Sequence, residues 1–91
     1  MKITHIYDYS AGQKKPTATV VQDGELYGVA LCSTEDEFNK KLSVHIATKR
    51  MKKFGRKEPK SYKNRWVNTY SNAFMYVEDI VKDIVNNAGV V

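Results

Sequence analysis

The fold is decided by a stretch of 24 residues, GVALCSTEDEFNKKLSVHIATKRM (28–51), whose character changes twice. It begins as an apolar strand-like segment, passes through the acidic turn STEDEF, and ends in a basic segment. Thr34 and Glu37 have the spacing of a capping box, in which both side chains accept backbone N–H groups at the start of a helix. Acids at the start and bases at the end also suit the helix dipole. The pattern therefore predicts a helix over about 35–54 that ends at Gly55.

The residues before this helix predict three strands. Asp23-Gly24 lies between two β-rich stretches, and this dipeptide is favoured in the tight turns of β-hairpins. We expect strands at about 17–22 and 25–32 joined by this turn. An earlier strand is expected at about 2–9, where the side chains alternate between two faces.

The C-terminal part of the chain has the clearest helical periodicity. Its apolar residues are spaced three and four apart: Val77, Ile80, Val81, Ile84 and Val85. Ser71 is a plausible cap, so a second helix is expected over about 71–87. Strands grouped ahead of helices indicate one α+β domain over residues 1–91. We expect an N-terminal antiparallel sheet of about three strands, packed on one face by the two helices.

The charge of the chain is positive and unevenly placed. There are 15 Lys and Arg against 10 Asp and Glu, which gives a net charge of +5. Eleven of the cations lie between Lys40 and Arg65, together with a single acid, Glu58. A basic segment of this kind favours anionic partners. The small size of the domain limits its core, so a homo-oligomer is a natural way to bury more apolar surface.

The sequence has no catalytic signature. Its two histidines, His5 and His45, have no acid at a telling spacing, and Cys32 is the only cysteine. We interpret the histidines as core or solvated residues and Cys32 as a small core side chain. No cofactor motif or metal-ligand spacing is present. We expect a binding protein rather than an enzyme. With no apolar run long enough for a leader or a membrane span, we expect it in a reducing cytoplasm, without membrane contact.

One residue of the first helix interrupts an apolar row. Phe38, Leu42, Ile46 and Phe54 are spaced so that Arg50 completes a series of five positions, each four apart. Arg50 could lay its stem over the edge of the core, with its charge in solvent. It could instead face a pocket or subunit contact, where its planar fork would clamp a phosphate or carboxylate. The pattern leaves both interpretations open.

Cations alternate with aromatic residues between positions 49 and 66. Cations attract phosphates and aromatic rings stack on bases, so the segment could bind a nucleotide or a nucleic acid. It could also be a solvated basic loop with Phe54 and Trp66 in the core, and for Trp66 the core is slightly favoured. The candidate ligand-binding residues are Arg50, Lys53, Phe54, Tyr62, Arg65 and Trp66.

The opening stretch resembles a motif of small phage proteins, the Thoeris anti-defence family, which sequester cyclic ADP-ribose signals. The residues that carry this resemblance are Gly28-Val29-Ala30-Leu31-Cys32, Asp36, Phe38, Lys41, Ile46-Ala47 and Arg50. The family's Gly-Arg pair is replaced here by Ser43-Val44. The resemblance implies a phage-type protein in the host cytoplasm, without catalysis. It also implies a homo-oligomer with nucleotide pockets near its subunit contacts.

Two functional hypotheses follow. In the first, the protein sequesters a cyclic nucleotide signal: Arg50 binds phosphate, Lys53 and Arg65 add charge, and Phe54, Tyr62 or Trp66 stacks on a base. In the second, it is a small basic protein that binds nucleic acid or inhibits a host protein. A structural module that packs through its C-terminal helix is a third, simpler possibility.

Overall fold

The computed structural model describes residues 1–10, 14–31, 40–57, 65–69 and 73–87. In chain order the elements are β1 (Lys2–Asp8), β2 (Lys15–Asp23), β3 (Leu26–Leu31), α1 (Lys40–Phe54), β4 (Arg56–Lys57), β5 (Trp66–Asn68), β6 (Phe74–Tyr76) and α2 (Val77–Asn87). The predicted α+β class is confirmed. Strands β1, β2 and β3 form an antiparallel sheet, to which the two-residue β4 adds in parallel beside β3. Strands β5 and β6 pair as a second, antiparallel sheet.

The β2–β3 hairpin turns where the sequence predicts. Asp23 pairs with Leu26, which leaves Gly24 and Glu25 as the two turn residues, one position later than the Asp-Gly dipeptide suggests. Gly24 has a φ of 62°, which a residue without a side chain adopts at little cost.

The two helices cover opposite faces of the sheet, so the expectation that they share one face is wrong. Val20 packs with Val77 and Val81 of α2, whereas its neighbour Val21 packs with Ala47 of α1. Successive residues of a strand point to opposite faces, which places one helix on each side. The central strand β2 is consequently buried from Thr17 to Gln22. Its run of small and apolar residues, TATVV, is typical of a strand covered on both faces.

Helix α1 sits directly on the backbone of β3 at Gly28. A Cβ atom at this position would overlap the carbonyl oxygen of Ala47 and lie 2.7 Å from the backbone nitrogen of Met51. Only a glycine allows the helix this approach. Two residues that carry the family resemblance, Gly28 and Ala47, are thus the packing contact between strand and helix.

This close contact sets the rotation of α1. The residues that it buries are Ser43, Ala47 and Met51 rather than the apolar row expected from the sequence. Leu42 and Phe54 are each 54% exposed, because the side of α1 that carries Ser43, Ala47 and Met51 faces the sheet instead. The helix ends at Phe54 as predicted: Gly55 has a φ of 77° and donates its N–H to the Met51 carbonyl at 2.8 Å. The predicted first turn, with Thr34, Asp36, Glu37 and Phe38, lies outside the described residues.

Helix α2 begins at Val77, later than the predicted residue 71. Phe74–Tyr76 form β6 instead, paired with Trp66–Asn68 of β5. The alternation explains the difference: Phe74 and Tyr76 are exposed, whereas Met75 between them is half-buried. The apolar periodicity beyond Val77 behaves as predicted, because Val77 and Val81 are buried and Ile80, Ile84 and Val85 pack against them. The proposed cap, Ser71, lies outside the described residues.

Asp8 joins the two sheets. Its Oδ1 accepts hydrogen bonds from the Ser10 hydroxyl at 2.7 Å, the Ser10 N–H at 3.0 Å and the Asn68 N–H at 3.0 Å. The Tyr9 N–H returns a bond to the Asn68 carbonyl at 2.9 Å. Burial opposes ionisation of Asp8, but these hydrogen bonds and the charge of Lys15 outweigh it, so the pKa of Asp8 is lowered.

Candidate functional site

The exposed side of α1 carries a row of basic residues. We define the basic face as Lys41, His45, Lys49, Lys52 and Lys53, all exposed. Their spacings of three and four residues place them on one side of the helix. Two neighbouring hollows of about 450 and 400 Å³ lie along this face, and His45 and Thr48 line both. Helix α1 contains no acid, so the charged side chains that it exposes are all basic.

The charges of this face have no acidic partner within the described residues. The two ion pairs found there join Arg56 Nη2 to Glu25 Oε2 at 3.8 Å and Lys82 Nζ to Glu78 Oε1 at 3.5 Å. Both lie outside α1. An anion that approaches the basic face therefore meets several cations whose charge is not neutralised by these pairs.

Arg50 is half-buried and bridges α1 to the sheet. Its Nη1 donates to the Val29 carbonyl at 2.6 Å. The Tyr27 N–H donates to the Gly55 carbonyl, so the Val29 carbonyl, two residues along β3, points toward the same edge. Arg50 thus has a structural partner, and its role as a ligand for phosphate stays a prediction.

Two aromatic candidates lie at the surface rather than in the core. Phe54 follows the basic face, with Lys53 Nζ 5.4 Å from its ring centroid. Trp66 is 51% exposed and packs against Tyr76, with ring centroids 3.8 Å apart. The interpretation that placed Trp66 and Phe54 in the core is therefore wrong. Tyr62 lies outside the described residues.

The sheet separates the candidates into two groups. Arg50, Lys53 and Phe54 belong to α1, on one face. Val67 of β5 packs in the core on the α2 face, so Arg65 and Trp66 lie on that other side. The candidates therefore do not share one surface of the chain.

Two further features were not predicted from the sequence. One is a cleft of about 410 Å³ between the β2–β3 turn and α2, with Tyr27, Val81 and Val85 in its apolar part and Arg56 and Lys82 at its rim. The other is the pairing of exposed aromatic residues on β5 and β6. The cleft depends on tertiary packing alone, whereas the alternation of Phe74 and Tyr76 was a readable signal that the neighbouring helical pattern obscured.

Among the residues that the structure describes, no group of three or more His, Cys, Asp or Glu side chains is arranged to hold a metal ion. None of the helices there has the length and apolar character needed to cross a bilayer. Comparisons with protein-family models, with curated proteins and with solved structures find no match to this chain.

Proposed function

We propose that this protein binds a phosphate-bearing nucleotide ligand without chemical turnover, and that the basic face of α1 receives the phosphates. The observation that carries the proposal is the set of exposed cations on an acid-free helix, without acidic partners among the described residues. Phosphate oxygens would replace the missing carboxylates as acceptors for the lysine ammonium groups.

The family resemblance narrows the ligand to a cyclic nucleotide signal such as a cyclic ADP-ribose isomer. The protein would then be a phage-type counter-defence sponge that removes the signal by binding alone. Since α1 and Trp66 lie on opposite sides of the sheet, base stacking on Trp66 would require a second copy of the chain. This form of the proposal therefore includes a homo-oligomer.

Nucleic acid is the second candidate ligand, and the shape of the basic face favours it. Helix α1 has 15 residues, which gives a length of about 22 Å. Its cations run from the first turn to the last, and the hollows between them are open. A continuous polyanion could contact such a row along its whole length. Affinity would then fall steeply as salt rises, because phosphate contacts release counterions.

Calorimetry and fluorescence anisotropy distinguish the two ligands. Cyclic ADP-ribose isomers and cyclic oligonucleotides would be titrated by calorimetry, and labelled single- and double-stranded oligonucleotides at 50 and 200 mM salt by anisotropy. A sponge would bind one small nucleotide tightly and release it unchanged, whereas a nucleic-acid-binding protein would prefer the oligonucleotides and lose affinity with salt. Absence of binding in every arm, on a folded sample, would overturn the proposal.

Two charge-reversal variants test whether the ligand binds at the basic face. Lys49→Glu/Lys52→Glu lowers the net charge from +5 to +1 on the basic face. Lys2→Glu/Lys82→Glu makes the same change elsewhere. We expect the first variant to lose at least about tenfold in affinity at low salt and the second to lose much less, because close contacts outweigh net charge. Equal losses would show that the basic face has no special role.

A further inference from the structure

Three aromatic side chains share the outer face of the β5–β6 sheet. Trp66 lies directly opposite Tyr76, and Phe74 opposite Asn68, so all four side chains point to one side. Trp66, Phe74 and Tyr76 are 51%, 68% and 37% exposed. On the other side, Val67 is buried in the core. We call Trp66, Phe74 and Tyr76 the aromatic face.

An exposed aromatic cluster of this kind marks an interaction surface. A second copy of the chain is one conceivable occupant, but two molecules of charge +5 repel each other. A nucleic acid brings negative charge and flat bases together. Arg65, which directly precedes Trp66 in the chain, is one of the cations of this positively charged protein. Charge complementarity therefore favours nucleic acid over a second copy.

The accessibility of the base faces favours a single strand over a duplex. Both faces of a base inside a duplex are covered by its stacked neighbours, about 3.4 Å away along each strand. Tyr76 and Phe74 are two residues apart along β6, which is about 7 Å. Bases can stack on Phe74 and on the Trp66–Tyr76 pair only if they leave their neighbours, as they can in an extended single strand.

We propose that the aromatic face binds single-stranded nucleic acid by stacking two bases, one on the Trp66–Tyr76 pair and one on Phe74. This inference rests on the nucleic-acid form of the proposed function. It adds a base-contacting surface to the phosphate-contacting one, on the opposite side of the sheet. Because stacking uses the flat ring of any base, little sequence preference is expected.

Trp66 is the only tryptophan of the chain, so its fluorescence reports directly on this surface. The probes are a twelve-residue oligothymidylate, a duplex of equal length, and inorganic polyphosphate, which has charge but no bases. We expect the single strand to quench Trp66 emission at saturation, and the duplex and polyphosphate to leave it nearly unchanged. Quenching of the same size by polyphosphate would overturn the proposal, because it would require no base.

Phe74→Ala tests the second stacking position without touching the reporter. The side chain is mostly exposed, so little stability is lost. We expect a loss of about 5- to 100-fold in affinity for the single strand, with an unchanged salt dependence because no charge is removed. Phe74→Tyr should restore binding, and Ile3→Ala, which truncates an exposed apolar residue of β1, should not change it. Unchanged affinity in Phe74→Ala would overturn the inference.

Two further outcomes separate this inference from the proposed function. Suppose that oligonucleotides bind and that Lys49→Glu/Lys52→Glu lowers their affinity. If Phe74→Ala then leaves the affinity unchanged and binding leaves Trp66 emission unchanged, only the inference fails. If neither polyphosphate nor any oligonucleotide binds, the nucleic-acid form of the function fails as well. Sedimentation of the wild type and Phe74→Ala covers the alternative occupant: a dimer that the substitution dissociates would assign the aromatic face to a second copy.

Discussion

Replacement of Gly28 by alanine adds one methyl group where α1 lies directly on the backbone of β3. The added Cβ would overlap the Ala47 carbonyl oxygen and lie 2.7 Å from the Met51 nitrogen, whereas ordinary contact begins at 3.4 Å. Both atoms belong to the backbone of α1 and cannot rotate away. The helix would therefore have to retreat by about 0.7 Å at Met51 and by more at Ala47. Such a shift would loosen the packing of Met51 and Ala47 on Val21 and Ala30.

The expected loss is about 2–3 kcal/mol in the free energy of unfolding. Overpacking of a core costs about 1–3 kcal/mol, and a rigid backbone obstacle places this site at the upper end. Glycine-to-alanine changes at unstrained sites instead stabilise by about 0.4–1 kcal/mol, because they restrict the unfolded chain. For a domain of this size, the net loss corresponds to a decrease of roughly 10–20 °C in Tm.

Urea unfolding followed by circular dichroism measures this change. Lys52→Ala, on the exposed side of the same helix, is the control and should stay within about 0.5 kcal/mol of wild type. Gly28→Ala/Ala47→Gly should not regain stability, because the obstacle is the carbonyl oxygen and not the alanine methyl group. Wild-type stability in Gly28→Ala would refute the close contact between α1 and β3, and with it our account of the rotation of α1.

Three further predictions concern single contacts. Arg50→Ala should destabilise the protein by about 1–2 kcal/mol in urea unfolding, since the Val29 carbonyl loses a charged donor. Lys49→Ala, at the neighbouring exposed residue, should not destabilise it. Equal effects of the two substitutions would contradict a stabilising bond between Arg50 and Val29. Gly55→Ala should cost about 1 kcal/mol or more because of its positive φ, with Gly55→Asn less affected, and identical stabilities would argue against the left-handed cap. For Asp8, the lowered pKa means a stabilising contribution above pH 4 that is lost as the pH falls through the folded-state pKa. The stability difference between wild type and Asp8→Asn should therefore shrink between pH 6 and pH 3, and a constant difference would refute the role of the charge.

Much of the fold could be predicted because it depends on local chemistry. The hairpin follows from Gly24, and the end of α1 from Gly55, since each site needs a positive φ. The rotation of α1 could not be predicted, because it is set by a contact between Gly28 and a helix that comes later in the chain. The spacing of four residues predicted an inward position for Leu42. Leu42 is exposed instead, because this contact sets the rotation of the helix. The burial of both faces of β2 had a readable signal in its run TATVV. The grouping of the strands ahead of the helices predicted a sheet covered on one face instead.

The candidate site was predicted in part. Composition was enough to find the basic segment that includes Lys53, whereas Lys41 was singled out only through the family resemblance. The grouping of these cations with His45 on one side of α1 was not predicted. Arg50 and Trp66 were grouped because they lie close together in the sequence. Their spacing carries no information about the sheet that lies between them in the fold. The partner of Trp66 was also missed, because Tyr76 immediately precedes a strong helical pattern and appeared to belong to it.

Gly55 connects the end of α1 to the edge of the sheet through two backbone hydrogen bonds. Its N–H is bonded to Met51 of the helix at 2.8 Å, and its carbonyl accepts the Tyr27 N–H of β3 at 2.9 Å. A single residue therefore ends the helix and begins the pairing with the strand. Unwinding of the last helical turn would release the strand bond as well. In hydrogen exchange, the amides of Gly55 and Tyr27 should thus share one opening event, and the lysines of the last turn would keep a fixed position relative to the sheet.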